Sequence, residues 1–134
     1  MPRITDLDQL LSHLEPAVRE GEFVYATFDT VPDDLVVEAT VREDEGTTVV
    51  LRREVADAAG IGYEYVAGWV TLTVQSSLEA VGMTAAFATA LGDAGLSCNV
   101  LAGFHHDHLL VPHDRVADAV EAIRDLSRRA ARGR

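Results

Sequence analysis

The residues with the most concentrated chemistry lie in two short stretches. The first is the connection from Gln75 to Val81, where Ser76, Ser77 and Glu79 precede a run of helical spacing that begins near Gly82. Unpaired backbone N–H groups at a helix start, here at Val81, Gly82 and Met83, make a natural site for a carboxylate. Ser76 and Ser77 add hydroxyl donors. Gly82 lacks the side chain that would hold a ligand off the backbone, and Glu79 can accept an ammonium group. Asn99, on an adjoining predicted strand, can add one amide contact. A zwitterion therefore suits this stretch better than a bare anion. The competing reading uses the same groups: Ser76, Ser77 and Glu79 can simply cap the helix.

The second stretch is His105-His106-Asp107-His108. Zinc is held by three or four side chains. His106 and His108, two apart on a strand, would share a face, and His113 could join them. The chemistry would be metal-assisted hydrolysis or a lyase reaction using His105, His106 and His108. Against it, the cluster falls at a predicted hairpin tip, no H-E-x-x-H spacing is present, and Asp107 is the one carboxylate beside it. The expectation is no metal and no cofactor, with the imidazoles bonding to the turn or lining an interface. Cys98 alternates with Leu96 and Val100, which predicts a buried, inert thiol. Gly60-Ile61-Gly62 lacks the rest of a phosphate-binding pattern.

These groups must be positioned by elements that the hydrophobic spacing outlines. Leu7, Leu10, Leu11 and Leu14 form the stripe of a short helix capped by Thr5 or Asp6, with Pro16 near its end. Glu22–Phe28 reads as a strand. Val36–Arg42 and Thr47–Arg53 form a hairpin around Glu43-Asp44-Glu45-Gly46. Glu54–Ala59 reads as a helical turn stopped by Gly60. The second half is β-α-β-β-α: a strand Val66–Gln75, a helix Gly82–Asp93, strands Leu96–Phe104 and His108–Val111, and a helix Asp114–Ala130. In the first of these helices Val81, Ala85, Ala88 and Leu91 fall at helical spacing. On the strand, Val66, Gly68, Val70, Leu72 and Val74 share one face, and Trp69, Thr71 and Thr73 the other. Helices on the first face leave Trp69 on an uncovered one, which predicts stacking of the two halves or pairing of two chains there.

Composition sets outer limits. The chain has 134 residues, 48% hydrophobic and 25% charged, the usage of an ordinary globular domain. Its net charge is −11, which repels nucleic-acid backbones. All 11 basic residues are arginine. Five of them crowd the last helix end at Arg124, Arg128, Arg129, Arg132 and Arg134, where they complement the helix dipole. A single cysteine excludes an internal disulfide and fits a reducing cytoplasm. No membrane span or signal peptide is read.

The run Val70–Ala86, with its core Ser76-Ser77-Leu78-Glu79-Ala80-Val81-Gly82-Met83-Thr84-Ala85-Ala86, resembles the signature of a small bacterial ACT-domain family of unknown function. Ala94-Gly95-Leu96-Ser97-Cys98-Asn99-Val100 and His106-Asp107-His108-Leu109-Leu110-Val111-Pro112 resemble the same family and the regulatory ACT domains of aspartate kinases. The resemblance implies an α+β, ferredoxin-like fold of two ACT-like halves, with antiparallel sheets and helices on one face. Residues 1–64 would be a diverged N-terminal half and 65–134 the ACT domain proper. An ACT unit ends in a further strand that this C-terminus lacks, so the N-terminal half is expected to supply it. The implied function is non-catalytic: a free-standing, cytoplasmic regulatory sensor that binds a small molecule, by analogy an amino acid, through Ser76, Ser77, Glu79, Val81, Gly82, Met83 and Asn99. It would be a homo-oligomer with an interface around Trp69, with no nucleic-acid or membrane partner. The hydrolase or lyase is one alternative; a ligand-free interaction module that uses the open sheet face is the other.

Overall fold

The computed structural model describes residues 6–74 and 81–133. In chain order the elements are α1 (Leu7–Ser12), β1 (Pro16–Phe28), β2 (Ala39–Glu43), β3 (Gly46–Arg52), α2 (Arg53–Ala58), β4 (Ala67–Leu72), α3 (Met83–Asp93), β5 (Asn99–Ala102), β6 (Asp107–Pro112) and α4 (Val116–Arg132). Asp6 caps α1 by accepting the Gln9 N–H at 3.0 Å. Pro16 does not close that helix. It opens β1 instead, opposite Leu72, a strand-start position where the missing N–H costs little.

Among the described residues, the six strands form one antiparallel sheet in the order β2-β3-β1-β4-β6-β5. The fold is α+β with tandem ferredoxin-like units, and the two halves are joined through their central strands. Pro16–Arg19 pairs with Leu72–Trp69, and the register then shifts before Phe23 meets Ala67. Gly21 lies in that shift at φ +116°, a conformation that L side chains rarely adopt and that favours glycine. The first stretch of β1 thus completes β4-β6-β5 as a fourth strand. The second stretch, Phe23–Phe28, pairs with β3 and leads β2, β3 and α2. The strand that the C-terminal half lacks comes from the N-terminal half, as expected.

Helices cover one face. Val70, Leu72, Leu109 and Val111 pack with Leu10, Leu14, Met83, Phe87, Leu91, Ala119 and Ile123 from α1, α3 and α4. Over the N-terminal half, Val24, Val49 and Leu51 meet Ala56 of the six-residue α2. The stripe of α3 differs from the one its spacing predicts. Met83, Phe87 and Leu91 point inward, whereas Val81 is 84% exposed and Ala85 and Ala88 face solvent. Both stripes end on Leu91, but the methionine and phenylalanine remove far more apolar surface from water than valine and two alanines do.

Gly68 shows how closely α4 sits on the sheet. A β-carbon there would lie 2.1 Å from Cγ2 of Val116. Gly68→Ala is expected to destabilise the chain by ~1–3 kcal/mol, the range for overpacking a filled core. Urea denaturation checks this, and an unchanged midpoint would show that Val116 rotates away freely.

Candidate functional site

The predicted ligand stretch is only partly within the described residues; Ser76, Ser77 and Glu79 lie outside them. Val81 is exposed, Met83 is buried in the core, and Gly82 is the N-cap of α3 at φ +96°, a left-handed conformation that favours glycine. No side chain of the described residues caps α3, so its first N–H groups are unpaired by the chain described. The space beside Gly82 is not open, however. A β-carbon there would meet Cδ2 of Leu7 at 3.0 Å. The glycine serves the turn and its packing on α1, and Gly82→Val would damage the fold as well as any site.

Asn99 is exposed on the edge strand β5 and pairs with Leu110, in the same row as Trp69. The end of β4 at Leu72 shares its row with Ala102 instead. Asn99 is therefore three rows, about 10 Å, from the end of β4, and the strand that carries it does not adjoin β4 as expected: β6 lies between them, and Asn99 is on the helix-free face, away from α3.

The histidines do not act as one group. His105 stacks edge-on against Phe104 at 5.1 Å, and the His106 carbonyl accepts the Gly103 N–H at 2.8 Å to close the hairpin turn. His108 turns onto the helix-free face. Among the described residues no three His, Cys, Asp or Glu side chains converge as metal ligands would. Cys98 is half-buried against the helix-side core, and burial pushes its thiol pKa up.

That helix-free face holds the best-organised polar constellation in the structure. Trp69 is only 5% exposed within the single chain. Phe23 packs against it at 5.1 Å between ring centres, His108 at 5.4 Å, and the Arg19 guanidinium lies 4.8 Å above it. Arg19 also pairs with Glu38. The expected open face around Trp69 is thus closed by side chains from β1, β4 and β6, because cross-strand partners stand side by side on it: Arg19 opposite Trp69, His108 opposite Thr71. Sequence reasoning missed Arg19 and Phe23. The signal was present in Val18-Arg19 continuing a strand through Pro16, but the proline suggested a helix end.

The indole Nε1–H is shared between Thr71 Oγ1 and His108 Nδ1, each at 3.2 Å, and Oγ1 lies 3.0 Å from Nδ1. A donating indole demands a bare Nδ1, so the neutral ring carries its proton on Nε2. Burial lowers the His108 pKa from its usual 6.5; His106 and Arg19 add repulsion, and Asp107 opposes them. Asp107 itself is pushed up by burial.

The unfolded chain therefore protonates His108 at pH values where the folded chain does not. The stability tied to this shift is complete above 6.5 and is lost as pH falls from there toward the lowered folded value. Asp107 acts oppositely at lower pH, since the folded state takes up its proton first. Between about pH 7.5 and about 5.5, wild type is expected to lose Tm relative to His108→Gln. A Tm difference that stays constant over that range would remove His108 as the cause.

Comparison with known proteins agrees with this architecture. ACT-domain family profiles match residues 2–68 and 64–125. A crystal structure of a Vibrio cholerae protein of unknown function, described as a possible transport protein, superposes with a TM-score of 0.83 at 40% identity, over 90% of this chain and 95% of that one. The ligand-free regulatory subunit of aspartate kinase from Thermus thermophilus gives 0.62 at 11% identity, over 83% and 95%. The aspartate kinase of Clostridium acetobutylicum gives 0.63 at 11% identity, over 85% of this chain and 34% of that enzyme. No curated protein matches the sequence. Among the described residues no helix is long and apolar enough to cross a membrane. Two ACT matches in tandem, and one sheet built by strands that the two halves share, place the chain in the ACT-domain family.

Proposed function

We propose that the protein is a non-catalytic regulatory subunit that binds an amino acid and signals to a partner in trans. The observation that supports this reading is the tandem ACT architecture, matched over residues 2–68 and 64–125. ACT domains are typically regulatory, generally bind small molecules such as amino acids, and often oligomerise. The mechanism is linkage: a ligand that prefers one packing of the units shifts the population toward it, and the partner reads that packing.

The site proposed is the loop of residues 75–82 with the uncapped start of α3. Met83 and the residues after it present N–H groups to a ligand carboxylate, aided by the helix dipole at ~0.3–1 kcal/mol. Ser76 and Ser77 are assigned as hydroxyl donors and Glu79 as the ammonium acceptor. Asn99 shares the row of Trp69 and Leu110 on the helix-free face, across the sheet from α3, and is left out of this site. The hydrolase reading gains nothing from the geometry, because His105 and His108 have separate partners. The interaction module has lost its main support, since Trp69 is covered within the chain.

A thermal-shift screen of the proteinogenic amino acids tests this. At a concentration about 100-fold above Kd, a ligand adds about 2.7 kcal/mol of stability and raises Tm. Ser76→Ala should then weaken calorimetrically measured binding by ~0.5–1.5 kcal/mol, the contribution of one neutral hydrogen bond. If no amino acid shifts Tm, the amino-acid reading falls. If one does and Ser76→Ala binds it unchanged, the site is elsewhere.

A further inference from the structure

The helical layer is unequal over the two halves of the sheet. The C-terminal half lies under α1, α3 and α4, whereas α2, of six residues, is the one helix over the N-terminal half among the described residues. The connection between β1 and β2, residues 29–38, contains no helix. A cleft of about 790 Å³ opens between that connection and α2. Phe28, Leu35, Val55 and Ile61 line it, each only partly buried. This volume falls within the range of small-molecule sites.

The charged lining is of one sign. Among the described residues Asp34 and Glu54 are the charged residues of the cleft, and no basic side chain lines it. Arg53, next in sequence to Glu54, is committed elsewhere: it donates to Tyr63 Oη at 2.7 Å and to Glu22 at 2.8 Å. Arg52 is likewise turned away, lying over the Phe23 ring and donating to the Glu20 carbonyl at 3.1 Å. Two uncompensated carboxylates beside an apolar floor, in a chain of net charge −11, set a local field that favours a cation and repels a carboxylate.

We infer that this cleft binds a small primary ammonium with an apolar aromatic or branched body and no carboxylate of its own. The apolar body covers Phe28, Leu35, Val55 and Ile61, and the negative field of Asp34 and Glu54 holds the ammonium. The missing carboxylate separates this ligand from the zwitterion proposed for the α3 loop, so the two sites select different molecules and are tested separately.

The test uses the full chain and three probes: phenethylammonium, phenylacetate and methylammonium, each titrated to about 10 mM while amide shifts are followed by NMR, a range suited to the weak affinity of so small a ligand. Phenethylammonium is expected to give saturable shifts confined to residues 28–35 and 54–61. Phenylacetate and methylammonium should each bind at least roughly tenfold more weakly, since one carries the opposite charge and the other lacks the apolar body. Glu54→Gln should weaken phenethylammonium roughly two- to fivefold, the scale of an exposed ion pair. Ala58→Trp, at an exposed α2 position lining the cleft, should abolish binding while circular dichroism stays unchanged. If that variant fails to fold, Asp34→Asn combined with Glu54→Gln carries the same test through loss of the preference for the cation. Equal binding of phenylacetate, shifts spread over the whole chain, or no saturation overturns the inference. So does a dimer in solution that Ala58→Trp dissociates, which would make the cleft a contact between two copies.

Discussion

Phe87→Ala is expected to cost ~3–5 kcal/mol of folding stability, the range for emptying a core site of a phenylalanine. Phe87 is fully buried in α3, within the cluster that joins α1 and α4 to Val70, Leu72, Leu109 and Val111 of the sheet. Its removal leaves a cavity between three helices and the sheet, and helices pinned at both ends by Met83 and Leu91 cannot collapse to fill it. Urea denaturation followed by circular dichroism measures the loss. Ala88→Ser, one residue on, serves as the control. Ala88 faces solvent, so the change should stay within about ±0.5 kcal/mol. Equal effects at the two positions would mean that α3 is rotated to the stripe its alanines suggest, and would also undo the orientation of Gly82 at its start.

That comparison marks how far the sequence could be read. The order of elements was legible because each is a short run with its own period: the alternation Val70, Leu72, Val74 needs no partner to be recognised. The rotation of α3 was not legible, because a helix rich in alanine supports several stripes, and only the packing of Phe87 against the other helices chooses between them. Pro16 misled for a similar reason. A proline ends a helix and begins a strand with equal ease, and its role here is set by Leu72, more than fifty residues away. Two of the residues assigned to the proposed site have structural surroundings that the sequence did not reveal. Gly82 is required, yet by a positive φ and by Leu7. Asn99 is not on a neighbouring strand: β6 separates it from β4, and it faces away from α3. Spacing along the chain carries no information about which row of a sheet a residue will occupy.

Trp69 tests the remaining expectation, that its face needs a second chain. Trp69→Ala is expected to cost ~3–5 kcal/mol in the isolated chain. The indole is 5% exposed and touches both halves: Phe23 comes from β1, Leu110 and His108 from β6, and Val50 from β3 shares the cluster. Its loss also releases Arg19, whose cation–π contact contributes ~0.5–1 kcal/mol at a partly exposed site. Because Trp69 and Phe23 are in contact, their alanine variants should be non-additive, with an interaction energy of ~0.5–3 kcal/mol in a double-mutant cycle. A second readout isolates the polar side of the cluster. With the indole gone, water reaches His108, the burial that lowers its pKa is relieved, and the histidine titrates closer to its ordinary value. Wild type should therefore lose stability relative to Trp69→Ala as pH falls through the window in which His108 is held neutral. A bulky cavity alone predicts the first loss and not the second, so the pH series separates lost packing from the shielding of His108. A Trp69→Ala protein that keeps its stability but shows a smaller mass by light scattering would return Trp69 to an interface between chains. A less stable protein of unchanged mass would show that the two halves of one chain, and not two chains, require this residue.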